Sequence, residues 1–217
     1  MKYVLFFVVL LFSNLSLAQT CNLGLKYDIQ STDQIVLLCN QGYEVGYNNR
    51  KKIPEFVAFL GKDWGKCSVR ENNQFIIDDR IVPGSRSLSS NYSNSGYDRG
   101  HMVSDEDFCG NNQLRKETYL MSNIVPQLPN FNRGIWNRID NEIQKIYRQT
   151  PSLVIKGTYG EIGAINGVVI PKYFYSIVIN QNVKVGYFIP HEQNLGNIVQ
   201  YKKPVDEILK IVKLTIN

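Results

Sequence analysis

The chain has 217 residues, 43% hydrophobic and 20% charged, with a formal net charge of +5. This composition excludes a disordered or fibrous protein, and the length is enough for one sizeable core. Mild basicity suits an anionic partner without requiring one.

Residues 1 to 18 read as a secretory signal. Lys2 supplies the positive start, Val4 to Phe12 a short apolar core, and Ser16-Leu17-Ala18 a small-x-small cleavage site. Ala18-Gln19-Thr20 does not have the pattern that would make Cys21 a lipidated cysteine. No later stretch is long and apolar enough for a membrane helix, so no stable membrane association is expected. The expected organisation is a signal over 1–18 and a single domain over 19–217, secreted or periplasmic. Removal of the signal takes away only Lys2, leaving +4. Cys21, Cys39, Cys67 and Cys109 all lie in the exported part. An even count outside the cytosol points to two disulfides, with unpaired buried thiols as the alternative. Of the three pairings we favour Cys21–Cys39 with Cys67–Cys109.

Residues 21 to 60 read as an irregular lead-in with strands around Ile35–Leu38 and Tyr43–Tyr47, and another over Pro54–Leu60. Arg86 to Gly96 is small and polar, a surface loop that delivers the chain into Asp98–His101. Asn130 can cap a helix starting near Phe131. Trp136, Ile139, Ile143 and Ile146 then recur at helical spacing until Pro151. Strands follow over Leu153–Lys156, Tyr173–Ile179 and Val183–Ile189, and a closing helix over Val205–Leu214. The order of elements indicates an α+β domain.

The chemistry concentrates in Tyr97-Asp98-Arg99-Gly100-His101, Ser122-Asn123-Ile124-Val125-Pro126-Gln127 and Asn130 to Asp140. Phosphodiester hydrolysis needs a base for water, cations against the charge on the phosphorane, and stabilisation of the leaving oxygen. His101 is the best base, since a neutral imidazole accepts a proton near pH 7. His191 has no such company and reads as a loop residue. Arg99 and Arg70 are candidate phosphate clamps, because a guanidinium donates two parallel hydrogen bonds. The Asn132 carboxamide oxygen suits a hydrated Mg2+, yet spacing alone leaves Asn132 open between ligand and helix cap. Asp140 lies eight residues on, about 12 Å along the axis and about 80° round. It can reach metal-held water; taken alone it reads as a solvated charge. Asp105-Glu106-Asp107 reads as solvated surface.

The three motifs together resemble the DNA/RNA non-specific endonucleases, the endonuclease G-like group of ββα-metal (His-Me finger) nucleases. The resemblance extends through Val168 to Tyr175 and Val205 to Ile208, covering roughly residues 43 to 214. It implies an α+β fold with a central mixed or antiparallel sheet flanked by helices. It implies Mg2+, with Mn2+ as a substitute, and cleavage of DNA and RNA to 5′-phosphate and 3′-hydroxyl ends. His101 would be the general base, Asn132 the direct metal ligand, Asn123 a support, and Arg70 and Arg99 phosphate contacts. At Asp140 the family usually has Glu holding metal water, and at Ser104 usually Pro. The rivals are a catalytically inactive nucleic-acid binder on the same fold and a secreted disulfide-stapled interaction domain.

Overall fold

The computed structural model describes residues 21–67 and 74–217. The expected signal over 1–18 and Arg70 lie outside the described residues.

The centre is a seven-stranded sheet. It is built from β2 (Ile35–Cys39), β3 (Tyr43–Asn48), β4 (Ile53–Gly61), β7 (Ser152–Ile165), β8 (Val168–Ile179), β9 (Lys184–Pro190) and β10 (Lys202–Lys203). Their spatial order is β10-β9-β8-β7-β4-β3-β2. Every pairing in it is antiparallel, which narrows the expected mixed or antiparallel sheet to the latter. The sheet is buried on both faces, which explains the apolar run Phe56–Phe59 of β4. Val57 and Phe59 enter one core while Phe56 and Ala58 enter the other, as the two-residue strand period dictates. β7 and β8 extend well beyond the apolar runs and meet at Asn166-Gly167, both at positive φ, the turn chemistry of a tight hairpin.

One face is covered by α3 (Val205–Val212), through Val205, Ile208 and Val212. This helix ends earlier than the sequence pattern indicates. Lys213 turns left-handed, and β11 (Leu214–Ile216) pairs with β1 (Tyr27–Ile29).

The other face carries the ribbon and helix that hold the three sequence motifs. β5 (Asp98–His101) and β6 (Ile124–Gln127) form a separate antiparallel ribbon, linked through α1 (Asn112–Glu117). The ribbon leads into α2 (Asn137–Gln149), whose Ile139, Ile143 and Tyr147 are buried with Trp136. The sequence places Asp98–His101 at the end of a loop; it is a strand. The loop before it holds a short 3-10 turn over Ser89–Tyr92, and Tyr92 within it is buried. Asn130 is helical and makes no side-chain cap. Phe131–Trp136 instead forms a π-helical turn, where the Asn137 N–H reaches back five residues to the Asn132 carbonyl. Such turns widen the helix by one residue and recur at functional sites. Here the turn invalidates the α-helical angle expected between Asn132 and Asp140.

Both expected disulfides close, Cys21–Cys39 and Cys67–Cys109. The second ties the irregular segment after β4 to the segment following His101.

Candidate active site

β5 sorts its residues by face. Asp98 and Gly100 point one way, Arg99 and His101 the other. Gly100 is required because a Cβ there would sit 2.2 Å from the Gln127 side chain. His101, half-buried at the strand end opposite Ile124, has its ring edge-on to Tyr119 at 4.8 Å. Phe75 lies 5.6 Å from that ring and 5.7 Å from the Arg99 guanidinium, so one aromatic joins the two. Arg99 donates through Nε and Nη2 to the Ser89 carbonyl at 3.2 and 2.7 Å. A guanidinium has five N–H donors, so three are left for an anion.

Asn123 is wholly buried. Its Oδ1 accepts from the Val103 N–H, and its Nδ2 donates to the carbonyls of Val103 and Thr118 at 2.9 and 2.8 Å. Its own carbonyl accepts from the Met102 N–H. It thus fixes the two residues after His101 against the end of α1. Losing such a group would leave several buried backbone groups unpaired, each at a cost of about 1–3 kcal/mol.

Asn132 is bonded back to β5. Its Nδ2 donates to Asp98 Oδ2 at 3.0 Å, beside a two-pronged ion pair from Arg133 at 2.9 and 2.7 Å. With the amide N–H committed to a carboxylate, the carboxamide oxygen is the atom oriented to accept or ligate. Among the described residues no group of three or more His, Cys, Asp or Glu converges as a metal cage. A single neutral oxygen donor fits a hard cation that keeps most of its waters.

Asp140 is buried rather than a solvated charge. The Lys156 ammonium, itself buried, lies 2.9 Å from Asp140 and 3.2 Å from Asp107. Asp107 also accepts from Tyr147 Oη at 2.7 Å, Gln144 Nε2 at 3.1 Å and the Ser104 N–H at 2.9 Å. Burial raises the Asp140 pKa, with Lys156 opposing and Asp107 adding to the rise. Two carboxylates around one ammonium leave one negative charge over. The acidic run expected on the surface is therefore structural: Asp105 is also buried and pairs with Arg115 at 3.1 Å. Lys156 and Asp107 were missed as partners. The available signal was a lysine interrupting the apolar run of β7.

His191 lies in a loop as expected, just past the end of β9, but it is buried there, only 3% exposed. Burial pushes its pKa down to about 4, against about 6.5 in an unfolded chain. Above pH 6.5 it is neutral in both states, and its contribution to stability is complete. Between 6.5 and 4 only the unfolded chain takes up the proton, so stability falls with pH, by up to ~3 kcal/mol. In urea titrations at pH 7 and pH 4.5, the native chain should lose more stability than His191→Gln. Equal losses would show that His191 is not held neutral.

Comparisons with known proteins bear on the family and the fold. The model of the family described as DNA/RNA non-specific endonuclease matches residues 23–217. A nuclease of Nostoc sp. is 31% identical, covering 81% of this chain and 70% of that protein. Nuclease C1 of Cunninghamella echinulata is 27% identical, covering 81% and 80%. Human mitochondrial endonuclease G is 25% identical over 71% of this chain but only 53% of its own length, so the chain spans about half of that relative. A chain in the crystal structure of the EndoG/EndoGI complex superposes with a TM-score of 0.75 at 22% identity, covering 82% of this chain and 84% of that one. That likeness shows the fold. With a family match over nearly the whole described chain, the protein belongs to the DNA/RNA non-specific endonuclease family.

Proposed function

We propose that this chain is a secreted, Mg2+-dependent endonuclease that hydrolyses DNA and RNA with little sequence preference. The observation that carries the reading is the tie between strand and helix. Asp98, Arg99 and His101 share one short strand, and Asn132 is bonded back onto Asp98. Base, cation and candidate ligand are thereby mounted on a single ββα unit. Secretion is supported by the two disulfides, which persist in oxidising compartments.

His101 accepts the proton of the attacking water, and Phe75 and Tyr119 hold its ring. Arg99 neutralises phosphate charge with the donors that Ser89 leaves over. Asn123 keeps the chain after His101 from shifting. Arg70 is the second expected phosphate contact. Asn132 would hold Mg2+, or Mn2+ in its place, through its carboxamide oxygen, with Asp140 assisting through water. When bound, the ion supplies positive charge against the phosphorane and the leaving 3′ oxygen. Contacts confined to phosphates carry no base information, which accounts for indifference to sequence.

The test is nicking of supercoiled plasmid and degradation of RNA by the purified chain, with and without EDTA. Metal-dependent cleavage of both substrates supports the proposal. Binding without cleavage would make the protein an inactive nucleic-acid binder, and neither would make it an interaction domain. Within this reading, Asp140→Ala should lower the rate by ~10–10², less than loss of His101. Asp140→Glu should retain more activity than Asp140→Ala. A fully active Asp140→Ala would confine Asp140 to its ion pair with Lys156.

A further inference from the structure

His191 sits where three parts of the site meet. Its Nε2 accepts from the Leu128 N–H at 2.8 Å, and its Nδ1 lies 3.0 Å from the Pro171 carbonyl oxygen. A backbone N–H only donates and a carbonyl only accepts, so these partners assign the proton to Nδ1. The ring packs edge-on against Phe131 and Phe174, both at 5.0 Å, and lies 6.1 Å from Tyr97. Its backbone N–H donates to the Lys172 carbonyl, which fixes the residue to the edge of β8. None of these contacts is used by the proposed chemistry.

Two short paths run from this ring to Asn132. Leu128, whose N–H His191 holds, accepts the Asn132 backbone N–H at 2.9 Å through its own carbonyl. Tyr97, against the ring, immediately precedes Asp98, which accepts from the Asn132 side chain. Phe131, also against the ring, is the residue before Asn132 and opens the π-helical turn. An imidazole of fixed tautomer therefore controls the backbone of Asn132 from one side and the strand bearing its side-chain partner from the other. The π-helical turn is one short widened stretch, so an external clamp adds to what its own hydrogen bonds fix.

We propose that His191 is a positioning residue for Asn132: it locks the Leu128–Asn132 turn onto β8 so that the carboxamide oxygen is presented for metal binding. This rests on the reading of Asn132 as the ligand. It assigns no proton transfer to His191. The same clamp predicts that metal binding and order in the turn are linked, because coupling between two sites is reciprocal.

The experiment measures Mn2+ binding by electron paramagnetic resonance of the free ion, without nucleic acid. His191→Phe keeps a buried ring and removes both side-chain hydrogen bonds. It should raise the Mn2+ dissociation constant ~10-fold or more, the usual effect of losing an outer support. His191→Gln, which can accept from Leu128 and donate to Pro171, should recover most of that loss. In the native chain, Mg2+ should slow hydrogen exchange of the Leu128 amide, a reading that needs no variant to fold. Native Mn2+ affinity in folded His191→Phe, or no change at Leu128 on Mg2+ binding, overturns the proposal. Asn132→Ala separates the two layers. If it binds Mn2+ as the native chain does, the ligand reading and this inference both fall. If it loses binding while His191→Phe keeps it, only the role of His191 is overturned.

Discussion

His101→Ala should lower kcat for plasmid cleavage by ~10²–10⁴, the usual contribution of a positioned general base. Two features of the site lead to this expectation. The ring stands at the end of β5, whose ladder to β6 fixes its backbone. Its face and edge are set by Phe75 and Tyr119, so the imidazole is held in place before substrate arrives. The substitution removes a half-buried ring without touching the ladder hydrogen bonds, so the melting curve should show a folded protein. KM for plasmid should change little, because Arg99 and the rest of the phosphate contacts remain. The pH profile offers a second check: the limb due to deprotonation of the base should vanish in the variant. Cleavage near the native rate by folded His101→Ala would remove the base from the mechanism. Another group, such as Tyr119 beside the ring, would then have to activate water.

The parts of the fold that were readable are those whose period is long enough to register. The apolar run of β4 and the apolar stripe of Trp136, Ile139 and Ile143 both appear in the chain as written, and Phe56–Phe59 and the stripe are buried. β5 and β6 have four residues each, too short for a period, and they carry the glycine and charges the site needs. The π-helical turn was invisible for a different reason. An extra residue in a turn changes which neighbours face each other but leaves no mark in composition. The buried charges were misread because their partners lie far away in sequence. Asp107 meets Lys156 across 49 residues, and His191 meets Leu128 across 63. A single charge or histidine is judged by its own neighbours in a sequence, and by the opposite element in a fold. Asp98 and Asn132 are only 34 residues apart, and the adjoining ribbon and helix bring them together.

Asn132→Ala should lower the rate by ~10²–10³, in the range seen when one main electrostatic contact to the transition state is removed. The Mg2+ concentration needed for half-maximal rate should rise with it. The native chain should be inert in EDTA and recover when Mg2+ is added in excess. The fold should survive the substitution, since Asp98 keeps its two-pronged pair with Arg133 at 2.9 and 2.7 Å and the Asn132 N–H still bonds to Leu128. Two outcomes discriminate between a ligand and a bracket. If the rate falls but the Mg2+ requirement is unchanged, Asn132 serves only to orient Asp98, and the metal must be held elsewhere. If exhaustive chelation leaves the native rate intact, no hydrated ion is involved. Asn132→Asp sharpens the distinction. It offers a metal a stronger, charged oxygen, but it replaces the N–H that Asp98 accepts with a second carboxylate beside the first. Like charges at hydrogen-bond distance repel, so the variant should regain activity only as Mg2+ rises enough to screen the pair. A purely structural bracket would not respond to Mg2+ in that way.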